Sequence, residues 1–324
     1  MGRLIPIMDS QQINEPVAPA FGGRLLFWIV GLFAASLLFG ALLAGPVFNL
    51  VLWLGRNFQS LENLRDVEFE RVASRCVLLV LLLSFVPVVK RAGMRDGRAI
   101  GFLPARTWWK LTGWGLLIGI AATAVIFFGG WALGAYGIRE VLERGAIEKS
   151  LLYFIGALLV GCIEEGLFRG LLFGALRRSV GFWGGAVLAS VIYSAVHFAK
   201  PRPVVGAVYG HWYSGLDLIP QLFNTVDLGP HFFPLALTLF FLGMVLCAFY
   251  QHTGSLYFSI GLHAGLVWLM RIGGYFLERN EARWPWLFGD GDVVSKSYIA
   301  LFALGVLLAV SLWLARGRFR ERGG

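Results

Sequence analysis

The sequence predicts an all-α protein, a polytopic membrane helix bundle with about eight transmembrane helices. Of its 324 residues, 57% are hydrophobic and only 15% are charged, whereas soluble domains contain about a quarter charged residues. The apolar residues are also gathered into segments long enough to cross the hydrocarbon core as helices. These segments lie near residues 25–46, 73–89, 111–135, 151–176, 182–199, 232–250, 256–273 and 297–315.

The chain shows no long-period repeat, so we predict one transmembrane helical domain over residues 24–316. A flexible N-terminal tail precedes it at residues 1–23, and a basic C-terminal tail follows at residues 317–324. The first apolar segment is too long for the core of a signal peptide, so we expect a retained helix. The connection at residues 200–230 is amphipathic and interrupted by Pro and Gly. An interfacial or re-entrant segment fits it best, and an inert loop is favoured over a lid.

The net charge of +9 is concentrated beside the predicted membrane exits. This placement argues against a nucleic-acid partner and favours contact with anionic lipid. With eight spans, both basic clusters fall on the side of the N-terminus, and the positive-inside rule then places both termini in the cytoplasm. The two clusters are Lys90, Arg91, Arg95, Arg98, Arg106 and Lys110, and Arg316, Arg318, Arg320 and Arg322.

The fourth apolar segment contains Glu164 and Glu165, the only two of 19 acidic residues that lie deep inside a predicted span. Glu165 precedes Arg169 by four residues, a spacing at which the two side chains form an ion pair on a helix. Glu164 points about 100° away and has no basic residue one turn along its own face. It suits a general base or acid, or else a structural hydrogen bond to a neighbouring helix, and we weigh these two interpretations equally.

Three glycines of the same segment predict close approach by another helix because they recur at fourfold spacing. They are Gly166, Gly170 and Gly174.

Two histidines, His197 and His263, lie in apolar segments. A single histidine in such a place is commonly structural, but together with Glu164 they place three polar residues on three separate segments. In a bundle, such residues can converge in the core. One Glu and two His can bind zinc with a water as fourth ligand, or can activate water without a metal. No HExxH pattern is present, so zinc is allowed and not required, and we favour a glutamate-centred site.

The stretch GCIEEGLFRGLLFGAL resembles the EExxxR motif of the CPBP intramembrane proteases, a family that includes CAAX prenyl endopeptidases and bacteriocin-processing and immunity-associated proteins. YSAVH, from Tyr193 to His197, is similar to the family's FxxxH motif. GSLYFSIGLHAGLV, with His263, resembles its Gly-Ser-Leu stretch leading to HxxxN. The three motifs occur in the family's order on separate segments, and the resemblance covers residues from about 90 to 270, the expected protease core.

The resemblance implies an intramembrane endopeptidase that cleaves a peptide bond of a membrane-associated protein or peptide. Glu164 and His197 would activate water, His263 would stabilise the oxyanion, and Glu165 and Arg169 would support the site. The protein would reside in the bacterial cytoplasmic membrane.

Two residues depart from the family pattern. Tyr193 replaces the usual Phe and adds a hydroxyl that needs a partner. Val267 stands where Asn is frequent, and loss of such an oxyanion donor costs about 100-fold to 1,000-fold in rate. A non-catalytic immunity, chaperone or transport factor with the same polar core is therefore the alternative hypothesis.

Overall fold

The computed structural model describes residues 22–91, 100–102, 108–140, 145–198, 209–224, 232–280, 283–288 and 297–320. In these residues the chain is almost entirely helical, which confirms the predicted fold class. The helices are α1 Gly22–Asn57, α2 Phe69–Arg91, α3 Trp108–Ala132, α4 Ala146–Glu165, α5 Gly174–Phe198, α6 Leu218–Asn224, α7 Phe232–Thr253, α8 Leu256–Phe276, α9 Pro285–Phe288 and α10 Tyr298–Arg320.

Shorter elements complete the chain. A π-helical segment, Gly166–Phe173, joins α4 to α5, and 3₁₀ turns occur at Gln59–Asp66 and Ser214–Asp217. Two three-residue strands, β1 Tyr136–Ile138 and β2 Leu277–Arg279, pair antiparallel. Through this two-stranded pairing, the segment after α3 is hydrogen-bonded to the segment that follows α8.

Six helical runs of the described chain are long and apolar enough to cross a membrane. The polytopic helical bundle is thus confirmed, and the count of eight spans stays a prediction. The six runs are Phe27–Asn57, Phe69–Lys90, Trp108–Ala132, Ala146–Phe198, Phe232–Thr253 and Leu256–Phe276, and α10 adds a shorter apolar stretch, Tyr298–Leu314.

One of these runs, Ala146–Phe198, has 53 residues and would measure about 80 Å if straight, far more than the hydrocarbon core of about 30 Å. It is interrupted at Val180 (φ −130°, ψ 17°) and at Gly181 (φ 73°, ψ 179°), where only glycine adopts the backbone conformation without strain. The break falls between the predicted segments 151–176 and 182–199, which are therefore joined by a kink rather than by a loop.

The chain forms two compact units. The smaller unit contains α1, α2 and α6. Its core includes Phe48 and Phe69, and Tyr209 stacks on Phe69 with ring centroids 4.2 Å apart while its hydroxyl donates to Glu70 over 2.9 Å. This unit includes the described part, residues 209–224, of the predicted 200–230 connection.

The larger unit contains α3, α4, the π segment, α5 as far as Ser194, and α7 to α10. The predicted single domain over residues 24–316 stays a prediction. The predicted tail at residues 1–23 lies almost wholly outside the described residues, and in the predicted tail at 317–324 the backbone of α10 continues to Arg320.

Glycines bring α3 and α8 into backbone contact. A Cβ atom on Gly115 or Gly119 of α3 would collide with the backbone of α8, and one on Gly261 or Gly265 of α8 would collide with the backbone of α3. At Gly261 the obstructing atom is the carbonyl oxygen of Thr112. Small residues allow such close approach between membrane helices, where dispersion contacts rather than water exclusion hold the helices together.

A different set of side chains attaches α8 to α4. The Trp268 indole Nε1 donates to the backbone oxygen of Ser150 over 3.0 Å, and the Tyr153 and Tyr275 hydroxyls are 3.2 Å apart. Helix α8 is thus held on two sides. His263 lies two residues from both Gly261 and Gly265, and at 100° per residue it projects away from the α3 contact.

This packing predicts that Gly261→Ala destabilises the protein. The added methyl group meets the backbone of α3, which cannot move aside as a side chain can, so we expect a loss of about 1–3 kcal/mol in thermal unfolding of the detergent-solubilised protein. Gly113→Ala on α3 is the matched control because no atom lies within 4 Å of its added Cβ. It should be neutral or stabilising by up to about 1 kcal/mol. Equal losses in the two variants would contradict the proposed helix contact.

Candidate active site

The candidate site lies at the junction between α4 and the π-helical segment. Glu164 and Glu165 are the last residues of α4, and all eight residues of Gly166–Phe173 are buried. The sequence predicted a regular helix here, so the π geometry is a correction. Single turns of π-helix often occur at functional sites because they alter which side chains share a face.

The glycine ridge predicted in this segment also requires correction. A Cβ on Gly170 would lie 2.6 Å from the backbone oxygen of Ile100, in the short described segment 100–102 between α2 and α3. At Gly174 the nearest atom is the backbone oxygen of Arg169, at 3.7 Å. The closest approach at Gly170 is therefore made by a connecting segment, and the side chain of Leu256, the first residue of α8, lies 3.4 Å from the same added Cβ.

The predicted ion pair between Glu165 and Arg169 is present. The Arg169 Nη1 atom donates to Glu165 Oε1 over 3.0 Å, and the side chains are 1% and 0% exposed. Burial of two charges is costly unless they are paired with good geometry. This pairing accounts for the presence of an arginine inside an apolar segment.

Glu165 has a second partner that the sequence did not reveal. His263 Nδ1 lies 2.9 Å from the same Oε1 atom that accepts from Arg169. The contact joins residues 98 positions apart, and no spacing rule predicts it. A hydrogen bond at one imidazole nitrogen fixes the orientation of the ring, so Glu165 orients His263.

Glu164 lies on the other side of the same imidazole. Its Oε2 atom is itself buried and lies 3.8 Å from His263 Nε2, while the Glu164 side chain as a whole is 23% exposed. The sequence found no cation near Glu164 along its own helix, and α8 supplies His263 as a partner that can be protonated. The two adjacent glutamates thus differ in burial: the Glu165 side chain is fully buried, whereas the Glu164 side chain is partly exposed.

Tyr193 completes this cluster from α5. The Arg169 guanidinium carbon lies 4.4 Å from the centre of the Tyr193 ring, and the ring meets Phe168 edge to face at 5.0 Å. Tyr193 is 1% exposed, so the hydroxyl that it adds to the family pattern lies in a buried side chain.

The sequence also singled out His197 and Val267. His197, near the end of α5, is half-buried and belongs to the smaller unit, so its predicted approach to Glu164 stays a prediction. Val267 is half-buried in α8, one turn after His263.

The predicted zinc ligands were Glu164, His197 and His263. Across the described part of the chain, no three His, Cys, Asp or Glu side chains are grouped so that they could hold one metal ion. His263 Nδ1 already faces Glu165, and His263 Nε2 lies 3.8 Å from the Glu164 carboxylate. These two donors are one fewer than the three protein ligands of a typical catalytic zinc site.

The geometry predicts different consequences for the two glutamates. Glu165→Gln leaves Arg169 without its buried counter-charge, which should cost about 3–5 kcal/mol of stability. Glu164→Gln should lower stability much less because its side chain is partly exposed. Folded yield and the melting temperature in detergent measure both effects. Equal losses would show that the two carboxylates have the same structural role.

Comparisons with known proteins identify the region that holds this cluster. Residues 146–269 match the family model described as "Type II CAAX prenyl endopeptidase Rce1-like". The "Putative membrane peptidase YdiL" of Bacillus subtilis (strain 168) is 26% identical over 183 residues, which cover 54% of this chain and 72% of that protein. No solved structure matches the chain with statistical significance. The matched region includes all three motifs singled out in the sequence, and residues 146–269 are therefore similar to the Rce1-like membrane proteases.

Proposed function

We propose that the protein is an intramembrane endopeptidase that hydrolyses a peptide bond of a membrane-associated protein or peptide, with Glu164 as the general base. This proposal rests on the difference in burial and in partners between Glu164 and Glu165. Glu165 is fully buried and bonded to both Arg169 and His263, whereas Glu164 is accessible and faces His263 at 3.8 Å. A base must be accessible to water and substrate, and of these two glutamates Glu164 is the one with exposed side-chain surface.

The charges of the cluster suggest how His263 acts. Within this cluster, the carboxylates of Glu164 and Glu165 carry two negative charges and Arg169 carries one positive charge. The remaining negative charge would be neutralised by an imidazolium at His263 in the apolar interior. In that form Nδ1 donates to Glu165, and Nε2 carries a second N–H. This second N–H is the donor that we assign to the oxyanion.

The hydrolysis then proceeds in two steps. Glu164 removes a proton from water as the water oxygen attacks the carbonyl carbon, and His263 Nε2–H donates to the resulting oxyanion. When the intermediate collapses, the C–N bond breaks and Glu164 passes its proton to the leaving amine. His197, by the family resemblance, would share the activation of water with Glu164.

Val267 favours the alternative hypothesis of a non-catalytic immunity, chaperone or transport factor. Its side chain cannot donate a hydrogen bond, whereas the Asn frequent at this position can. Under the catalytic proposal, His263 is therefore the principal side-chain oxyanion donor. The assay of peptide cleavage described below distinguishes the two hypotheses.

The description of the matched family model supports a proposal for the substrate class. The matched family model is described as a CAAX prenyl endopeptidase, so peptides with a prenylated C-terminal cysteine motif are the first candidates. We place the protein in the bacterial cytoplasmic membrane with both termini in the cytoplasm, on the basis of its basic segments. Substrate would then reach the site from the lipid bilayer.

Cleavage of membrane-tethered peptides by protein reconstituted in nanodiscs tests the proposed activity. The panel should pair prenylated CAAX peptides with unprenylated and acyl-anchored ones, and cleavage is followed by mass spectrometry. Glu164→Gln should lower the rate by about 100-fold to 10,000-fold, as expected for loss of a general base. Glu148→Gln, in the first turn of α4 and outside the cluster, is the control and should keep full activity. Absence of cleavage by the wild-type protein on every peptide would favour the non-catalytic alternative.

Exhaustive chelation tests the metal question. A glutamate-centred site should keep its activity in protein shown by elemental analysis to be metal-free, because Glu164 can deprotonate water directly. Loss of activity on chelation, with recovery on addition of zinc alone, would instead show that zinc joins the site. In that case His197 would have to supply the third ligand.

A further inference from the structure

Two cations and two tyrosines meet where α4 packs against α8. The Lys149 Nζ atom lies 5.2 Å from the centre of the Tyr275 ring, and the Arg271 guanidinium carbon lies 5.9 Å from the centre of the Tyr153 ring. The centres of the two rings are 6.0 Å apart, and their hydroxyl oxygens are 3.2 Å apart. Each tyrosine therefore contacts a cation from the opposite helix. We call these four residues the tyrosine–cation cluster.

The positions of the four residues in the sequence explain this arrangement. Lys149 precedes Tyr153 by four residues, and Arg271 precedes Tyr275 by four residues, so each cation shares a helix face with a tyrosine. Because Lys149 meets Tyr275 and Tyr153 meets Arg271, α4 and α8 run in opposite directions here. The two cations thus lie one helical turn apart along the interface, at levels that differ by about 6 Å.

The contacts with the rings do not neutralise the cations. An aromatic ring attracts a cation through its quadrupole but has no net charge, so the positive charge of each side chain is retained. The Lys149 and Arg271 side chains are both exposed. Within the described residues, none of the ion pairs includes Arg271. Arg271 is therefore a cation that is held against a ring and can still bind an anion.

The hydroxyl pair adds a hydrogen-bond donor beside these charges. Each phenol has one O–H, so one tyrosine donates to the other and the accepting hydroxyl keeps its own hydrogen. When Tyr275 is the donor, the Tyr153 O–H is directed to a third group, close to the Arg271 guanidinium. A guanidinium with a neighbouring hydroxyl suits phosphate oxygens, which an arginine can bind through two parallel N–H groups.

The cluster lies at the level where lipid phosphates are found. Helix α8 has 21 residues and is about 31 Å long, which matches the hydrocarbon core of about 30 Å. Tyr275 is the residue before the last of α8, and Lys149 lies in the first turn of α4. Tyrosines are enriched at this boundary, and long basic side chains extend from the helix toward the headgroups.

We propose that the tyrosine–cation cluster binds the headgroup phosphate of an anionic phospholipid. Arg271 and Lys149 supply the positive charge, and a tyrosine hydroxyl supplies a hydrogen bond. An anionic headgroup fits better than a zwitterionic one, because a zwitterionic lipid brings its own cation beside its phosphate. This inference is independent of the proposed peptidase activity. The competing interpretation is a pair of cations that join α4 to α8 and bind no ligand.

Native mass spectrometry of the full chain in detergent tests the choice of ligand. It gives the dissociation constant of the first bound lipid in titrations with phosphatidylglycerol and with phosphatidylcholine. Phosphatidylglycerol should bind at least about fivefold more tightly, as expected for an additional attraction to a basic side chain. Excess inorganic phosphate should leave the bound lipid in place. Equal affinity for the two lipids, or displacement of the lipid by phosphate, would overturn the assignment of an anionic phospholipid.

Substitutions in the cluster test the site itself. Arg271→Gln should weaken phosphatidylglycerol binding about tenfold, as for the loss of a charge-assisted hydrogen bond. Arg271→Lys keeps the charge and should recover part of this loss. Tyr153→Phe keeps the ring beside Arg271 and removes the hydroxyl, so it should weaken binding by about threefold or more.

Arg75→Gln is the matched control, because Arg75 is also exposed and lies near the start of a membrane helix, α2. It should change the dissociation constant by less than about twofold. Equal weakening in Arg75→Gln and Arg271→Gln would show a general attraction of anionic lipid to basic surface and would overturn the proposal. A lower melting temperature of Arg271→Gln with unchanged lipid affinity would show that this cation only joins the helices, and would overturn it as well.

Discussion

The buried ion pair of Glu165 and Arg169 is the interaction on which the site depends. Charged side chains cost about 2.5–3.5 kcal/mol each at the centre of a membrane helix on insertion scales, so neither residue would be tolerated there alone. Their contact at 3.0 Å, away from water, leaves little freedom to either side chain. The Glu165 oxygen that accepts from Arg169 also contacts His263. The pair thus neutralises a buried charge and also gives an imidazole from another helix a fixed direction.

The packing of α8 determines whether that imidazole reaches its partner. Gly261 and Gly265 allow the backbone of α8 to touch α3, and Trp268 bonds α8 to α4 on another side. A helix held in this way cannot slide or rotate freely, because backbone contacts leave no flexible side chain to absorb the movement. His263 lies between the two glycines in sequence, so the contact between helices and the orientation of the site are determined by the same turn of α8.

Local features of the site were predictable from the sequence, and contacts between distant segments were not. The pairing of Glu165 with Arg169 follows from a spacing of four residues, and the helical class follows from the length of the apolar segments. The bond between Glu165 and His263 depends on how α4 and α8 pack, which hydropathy does not encode. The π segment also escaped prediction, because its composition does not differ from that of an apolar α-helix. Gly170 illustrates the limit, since its spacing indicated close contact but could not identify Ile100 as the partner.

The adjacency of the two glutamates explains how one short segment supplies two different carboxylates. Successive helical residues point about 100° apart, so the Glu165 side chain can be directed into the buried interior while the Glu164 side chain remains partly exposed. Environments that differ so strongly separate the chemistry of identical side chains, and acid–base assignments in enzymes commonly arise in this way. The sealed carboxylate also lies one peptide bond from the accessible one. Because Arg169 and His263 both contact Glu165, they restrict the backbone of Glu164 as well, and the environment of one carboxylate thereby limits the position of the other.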